Sequence, residues 1–189
     1  MRWLLLGVVV LLASCANVTK IGPGKVSVNE KMVTQLDKAW NRIDAPGKGK
    51  VEIWTADGLP LDRLTFYPAI GDGEALAELQ DRKEKQQPRF HVGMPPHEIV
   101  ELFETVVAAD GSTFRLDKLA PTAFAGGEGF RFDYSVLRKE DEVELKGVAY
   151  GVVQHGKLFL MTFSAPKTHY FGKHLSSVES IAGSVQIRN

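Results

Sequence analysis

Lys157-Leu158-Phe159-Leu160-Met161-Thr162-Phe163-Ser164 is the stretch that decides the fold class. Side chains alternate between the two faces of a strand. Leu158 and Leu160 therefore point one way, while Phe159, Met161 and Phe163 point the other. A strand that is apolar on both sides is covered on both sides. His155-Gly156 immediately before it is a tight turn, and Val143–Val153 reads as the strand that enters that turn. Two long strands joined this way are antiparallel. The class that follows is α+β, an antiparallel sheet packed by helices on one or both faces.

The neighbouring segments supply the rest of that architecture. Phe114–Leu119 and Phe130–Leu137 read as further strands. Gly126-Gly127-Glu128-Gly129 forms a turn or bulge ahead of Phe130, and the charged run Arg138–Glu142 forms a solvated hairpin tip. Pro95 to Ala109 is the best helix. Ile99, Leu102, Phe103, Val106 and Val107 share one face, Pro95 and Pro96 suit the first turn, Glu98 and Glu101 favour the positive end of the helix dipole, and Gly111 can end it. A second helix runs from Pro166 or Thr168 to about Ala182, with Phe171, Leu175, Val178 and Ile181 or Ala182 as its buried stripe. Gly183 closes it, and Ser184–Ile187 is positioned for a short edge strand.

Upstream the pattern is less one-sided. Met32 to Ile43 fits a helical face through Met32, Val33, Leu36, Ala39, Trp40 and Ile43, and also one side of a strand through Met32, Thr34, Leu36 and Trp40. Ala45–Lys50 is a loop. Val51–Thr55 and Leu61–Tyr67 are strands around the Asp57-Gly58 turn signal. Gly71–Gln87 has helix-forming composition, although Asp81–Gln87 has no apolar residue and reads as a solvated helix end or loop, stopped by Pro88.

The N-terminus is an address. Met1-Arg2 is followed by an apolar run, Trp3 to Ala13, shorter than the roughly 20 residues that span a bilayer as a helix. The run ends in Leu12-Ala13-Ser14-Cys15. That ending resembles the lipobox of bacterial lipoproteins. The resemblance implies residues 1–14 as a signal peptide, cleavage before Cys15, a diacylglyceryl thioether on Cys15, and an acyl chain such as palmitate on its amino group. Several chains give stable anchoring where one gives only marginal binding. Ala16, rather than Asp, follows the cysteine, which in a Gram-negative lipoprotein favours the outer membrane, facing the periplasm. Residues 15–24 read as the lipidated cysteine and a tether reaching at most about 30 Å. Residues 25–189 read as a single domain.

A second resemblance runs through Gly147-Val148-Ala149-Tyr150, His155-Gly156, Lys157-Leu158-Phe159-Leu160, Thr162–Pro166 and Ile181-Ala182-Gly183-Ser184. This cadence is similar to the C-terminal half of PsbP-like domains, covering roughly residues 126–189, with Trp40-Asn41 matching an early position. It implies an antiparallel sheet sandwiched by helices and an accessory or binding role. The matching positions are structural, so no functional residue carries over.

Charge and chemistry narrow the function classes. Of the 189 residues, 23 are Lys or Arg and 23 are Asp or Glu. Removing the first 14, which include Arg2, leaves 175 residues with 22 basic against 23 acidic. That balance lacks the basic footprint of a nucleic-acid binder. The single cysteine excludes an internal disulfide. His91, His97, His155, His169 and His174 lack metal-ligand spacing, and His169 and His174, five positions apart, splay around a helix rather than pairing on one face. Each reads as an exposed polar residue, with His97, beside Glu98 in a first helical turn, the one placed to meet a ligand. The glycine cluster lacks the Lys-Ser/Thr of a phosphate loop. Asp57 and Asp62 flank a hairpin. Trp40, Trp54, Tyr134, Tyr150 and Tyr170 read as core. The expectation is a non-enzymatic envelope lipoprotein, without cofactor or metal, that binds an envelope protein or a small apolar ligand. A periplasmic hydrolase built on scattered polar residues is the alternative, and a His–carboxylate pair within reach of a serine or water would favour it.

Overall fold

A computed structural model of the chain describes residues 17–44, 50–79 and 87–188. Cys15, the signal segment, Ala45–Gly49 and the charged run through Gln86 lie outside the described residues. The elements in chain order are β1 (Asn17–Ile21), β2 (Gly24–Val28), β3 (Met32–Leu36), β4 (Trp40–Asp44), β5 (Glu52–Thr55), β6 (Arg63–Gly71), α1 (Pro96–Val107), β7 (Thr113–Phe124), β8 (Gly127–Leu137), β9 (Glu144–Gln154), β10 (Lys157–Pro166), α2 (Tyr170–Ser184) and β11 (Gln186–Ile187). Among the described residues they form an 8-stranded sheet ordered β1-β4-β5-β6-β10-β9-β8-β7 and a 3-stranded sheet ordered β11-β3-β2. All neighbouring strands are antiparallel.

The two faces of β10 are covered as its alternation requires. Phe159, Met161 and Phe163 join Trp54, Val178 and Ile181 in the cluster beneath α2 and the small sheet. Leu158 and Leu160 join Ile99, Leu102, Phe103 and Phe132 beneath α1. The molecule is thus layered: α2 with the small sheet, the large sheet, then α1. Two-residue turns set the register of the long hairpins. Ala125 and Gly126 (φ 51° and 80°) join β7 to β8, and His155 and Gly156 (φ 51° and 69°) join β9 to β10. Paired left-handed residues match the right-handed twist of the flanking strands. Farther along β9, the ring of Tyr134 lies over Gly147 and that of Phe130 over Gly151, where any Cβ would collide.

Several sequence expectations are corrected. The tether does not extend to Gly24, because Asn17–Ile21 pairs with β4 from Asn17↔Asp44 to Ile21↔Trp40. Polar Asn-Val-Thr-Lys-Ile becomes a strand by completing the edge of a sheet. Met32–Ile43 resolves into two strands in different sheets, β3 and β4. The described part of Gly71–Gln87 is not helical. Gly73 sits at φ +74°, the Glu74 carboxylate accepts from the Gly71 N–H at 2.8 Å, and Ala75 bridges to Arg89. These contacts fold the segment back and bury Leu76 and Phe90 under α1. α1 ends at Val107, and a 3-10 turn over Ala108–Asp110 leads to Gly111 at φ +88°. α2 begins later than Thr168 and continues through Gly183 to Ser184.

Candidate functional site

The α2 stripe is rotated from the expected one. His174 is 2 % exposed, and Phe171 and Leu175 are only half-buried. His174 stands three residues after Phe171 and four before Val178, so it occupies the buried line of the helix. Its Nδ1 lies 2.8 Å from Lys38 Nζ, and its Nε2 lies 2.6 Å from Asp57 Oδ2. An ammonium has hydrogens to donate and no acceptor. Nδ1 therefore accepts from Lys38, the imidazole is neutral, and the proton on Nε2 is donated to Asp57. Lys173 adds a second cation, 2.7 Å from Asp57 Oδ2. Hydrogen bonds from Lys173 and then His174 hold the Asp57 carboxyl below its ordinary range.

Asp62 supports this cluster from below. It is fully buried, and it accepts from the Thr55 hydroxyl (2.9 Å), the Ala56 N–H (2.7 Å) and the Asp57 N–H (2.7 Å). These side-chain-to-backbone bonds across the β5–β6 turn fix its shape and aim Asp57 at α2. On the other side, Ser177 donates to Asp37 at 2.6 Å, and Thr34 donates to the Ile181 carbonyl at 2.9 Å. The small sheet, α2 and the β5–β6 turn are thereby stitched together.

Ligand atoms of Asp57, Asp62 and His174 lie within 4.8 Å of one another. Their bonding opposes a cation. Lys38 on Nδ1 keeps the proton on Nε2, where a metal would bind, Asp62 already accepts three bonds, and the ammoniums of Lys38 and Lys173 sit on the cluster. The His–carboxylate pair is also poorly placed for hydrolysis. Both imidazole nitrogens are engaged by protein, and the nearby Thr55 hydroxyl donates to Asp62. The arrangement is a structural lock.

Beside it lies a groove of about 490 Å³ between the first turns of α2 and the exposed side of β7–β9. Phe171 and Leu175 form its apolar wall, and Lys118, Arg131, Lys146 and Lys167 surround it together with Asp117 and Asp133. A second depression along β7 and β8 shares Lys118, Arg131 and Asp133 and extends the groove to Thr122. Arg131 is held by Asp133 (3.0 Å), Glu179 (2.9 Å) and the Tyr150 hydroxyl (3.0 Å). Lys146 reaches Asp117 at 2.9 Å and Lys167 reaches Glu144 at 2.9 Å. The rim is therefore a fixed pattern of charge, with exposed Lys118 at its open edge.

Asp117 senses that pattern. Burial raises its carboxyl pKa, but bonds from Ser135, Lys146 and Arg115 outweigh burial and bring it down to about 2. A lowered folded pKa stabilises the fold above the unfolded value of about 3.9, and the contribution fades as pH falls from there through the folded value. Urea midpoints measured from pH 6 to pH 2 should show this loss, and Asp117→Asn should flatten it. An unchanged acid dependence in the variant would show that the rim contacts do not hold in solution.

Of the other histidines, His91, His97, His155 and His169 are exposed, as their sequence contexts indicate. His97 lies on the outer side of α1, away from the groove. Trp40, Trp54, Tyr134 and Tyr150 are buried and Tyr170 is half-buried. His174 is buried rather than exposed, as its spacing from Phe171 and Val178 on the helix implies. Lys38 and Asp57, 136 and 117 residues away along the chain, carried no local signal.

No family model matches the sequence, and no curated protein matches it. The chain is similar to the solution structure of cyanobacterial PsbP (CyanoP) from Synechocystis sp. PCC 6803, with TM-score 0.58 and 14% identity over 95% of this chain and 98% of that one. The fold is PsbP-like. The Ran-binding protein Mog1p of Saccharomyces cerevisiae is similar to this PsbP-like domain at TM-score 0.52 and 8% identity, over 92% of this chain and 96% of that one. A structure from Bacteroides thetaiotaomicron matches at TM-score 0.51 and 9% identity, over 89% of this chain and 50% of that one. At these identities the likeness concerns the fold. No helix among the described residues is long and apolar enough to cross a membrane.

Proposed function

We propose that this PsbP-like domain is a lipid-anchored, non-catalytic accessory module of a bacterial envelope that recognises a protein partner through the groove beside α2. The groove is the observation that carries the reading. An apolar wall from Phe171 and Leu175 within a fixed charged rim suits a polypeptide surface, where apolar contacts contribute affinity and charges set register. The same rim is poorly suited to a fatty acid, which needs an enclosed apolar cavity. The scaffold supports the reading, since one protein with this fold, Mog1p, is a Ran-binding protein. The lipobox at Leu12–Cys15 supplies the anchor, and Ala16 after it favours the outer membrane in a Gram-negative cell.

Two measurements test the parts separately. Cys15→Ser should release the protein from the membrane fraction or leave an uncleaved precursor. A mature-sized variant still in the membrane fraction would remove the anchor. Photo-crosslinking residues introduced at Lys118 and Thr122 should yield a discrete protein adduct in intact cells, while the same group at His97 or Glu101 on α1 should not. Adducts from α1 alone would move the interface to the opposite face.

A further inference from the structure

We infer that the partner enters the groove as an amphipathic α-helix lying beside α2 on the open face of β7 and β8, with its apolar stripe against Phe171 and Leu175 and a carboxylate turned to Lys118. The inference rests on the groove reading above and adds the form and charge of the occupant. α2 packs on β10 and β9. The sheet continues past it by two strands, β8 and β7. Two strands are about 10 Å wide, the width of one helix with its side chains.

The floor of the groove follows β7. Lys118 pairs with Asp133 and Ala120 with Arg131, so these side chains and that of Thr122 share the face toward α2. Lys118 to Thr122 is about 13 Å of strand, or about two and a half helical turns. The flank of α2 above that floor carries Phe171, Leu175 and Glu179, each four residues from the next, and Glu179 is tied to Arg131 of the floor at 2.9 Å. Side chains at this spacing form a ridge that fits the grooves of a second helix. Gly172 opens the flank further. It lines the groove, and a Cβ there would meet nothing within 4 Å.

The edge of β7 argues against the alternative, a partner strand added to the sheet. Its ladder with β8 shifts register between Leu116 and Lys118, and Pro121 has no N–H to offer a new neighbour. These two interruptions divide the edge into Thr113–Leu116, Lys118–Ala120 and Thr122–Phe124, each shorter than an ordinary strand of about five or six residues. Bulges and prolines are the means by which edges are closed to pairing. The face, not the edge, is therefore the seat. Charge then fixes the polar side of the occupant. Arg131 is bonded to Asp133 and Glu179, Lys146 to Asp117, and Lys167 to Glu144. Among the described residues Lys118 is the groove cation with no acid bonded to it, so a carboxylate from the partner helix completes the rim.

The test places a photo-crosslinking residue at Lys118, Ala120 or Thr122 of the full-length protein in intact cells and identifies the linked partner residues by mass spectrometry. Neighbouring positions in this series are about 7 Å apart, slightly more than one helical turn, so their adducts should land about three or four residues apart along one partner segment. A partner strand lying on the same floor would give spacings of about two residues. Gly172→Gln fills the groove from α2, and Lys118→Glu reverses its free charge. Each should cut the Thr122 adduct severalfold. Gly183→Gln, on α2 outside the groove and equally clear of neighbours, should leave the adduct at the parent level. Urea midpoints of both glycine variants should match or exceed the parent's, because glutamine favours a helix over glycine. Adducts two residues apart, or a Thr122 adduct undiminished by Gly172→Gln or Lys118→Glu, overturn the helix and leave the groove reading standing. No protein adduct from any of the three positions overturns both.

Discussion

Phe103→Ala is expected to lower the unfolding free energy by about 3–5 kcal/mol, the range for removing a large aromatic side chain from a packed core. Phe103 is 2 % exposed and is the residue through which α1 grips the large sheet. Its ring meets Phe132, Tyr134 and Phe114 edge-on, with centroid separations of 5.5, 5.2 and 6.0 Å. Such pairs contribute beyond the area they bury. The surrounding rings belong to paired strands of the same sheet and cannot collapse into the space without disturbing register. Urea unfolding at an unchanged m value should show the loss as a lower midpoint. Val107→Ala, on the half-buried end of the same helix, should cost less. A Phe103→Ala midpoint equal to that of the parent would mean that α1 does not cover this face of the sheet.

How much of this was legible in the sequence follows from the range of the interactions involved. β10 and α1 could be read because alternation and helical periodicity report burial locally. The Asp57-Gly58 and His155-Gly156 turns could be read because left-handed backbone geometry selects few residue types. β1 could not be read, since Asn17–Ile21 has little apolar pattern and is a strand by virtue of β4 beside it. The non-helical path after Gly71 depends on Glu74 bonding back to the Gly71 N–H and on Ala75 meeting Arg89, neither of which appears in residue periodicity. The lock at His174 combines both cases. The histidine lay on a readable helical line, but its partners come from β3–β4 and β5–β6, and only the tertiary fold unites them. The groove is similar: charged residues on alternate positions of β7–β9 look like a solvated face until α2 supplies Phe171 and Leu175 as a wall.

Asp62→Ala should rival the core substitution, at about 3–5 kcal/mol, although it removes no apolar packing. Asp62 is fully buried and accepts from one hydroxyl and two backbone N–H groups. Alanine would leave those donors without their acceptor, and each unsatisfied buried group costs about 1–3 kcal/mol. The damage also propagates, because the Asp57 N–H is one of the three and the Asp57 carboxylate is the acceptor for His174 and Lys173 on α2. Loosening the turn should therefore free the His174 imidazole, visible by NMR as loss of a slowly exchanging Nε2 proton. Asp62→Asn, which keeps an acceptor oxygen but turns an amide toward donors, should fall between the parent and alanine. The cycle combining Asp62→Ala with Asp57→Ala distinguishes a shared lock from two separate contacts. If Asp62 acts by holding Asp57 in place, the double variant should be destabilised by clearly less than the sum of the singles. Additive losses would mean that the turn and the α2 contact are held independently, and the lock would reduce to a capped turn next to a surface ion pair.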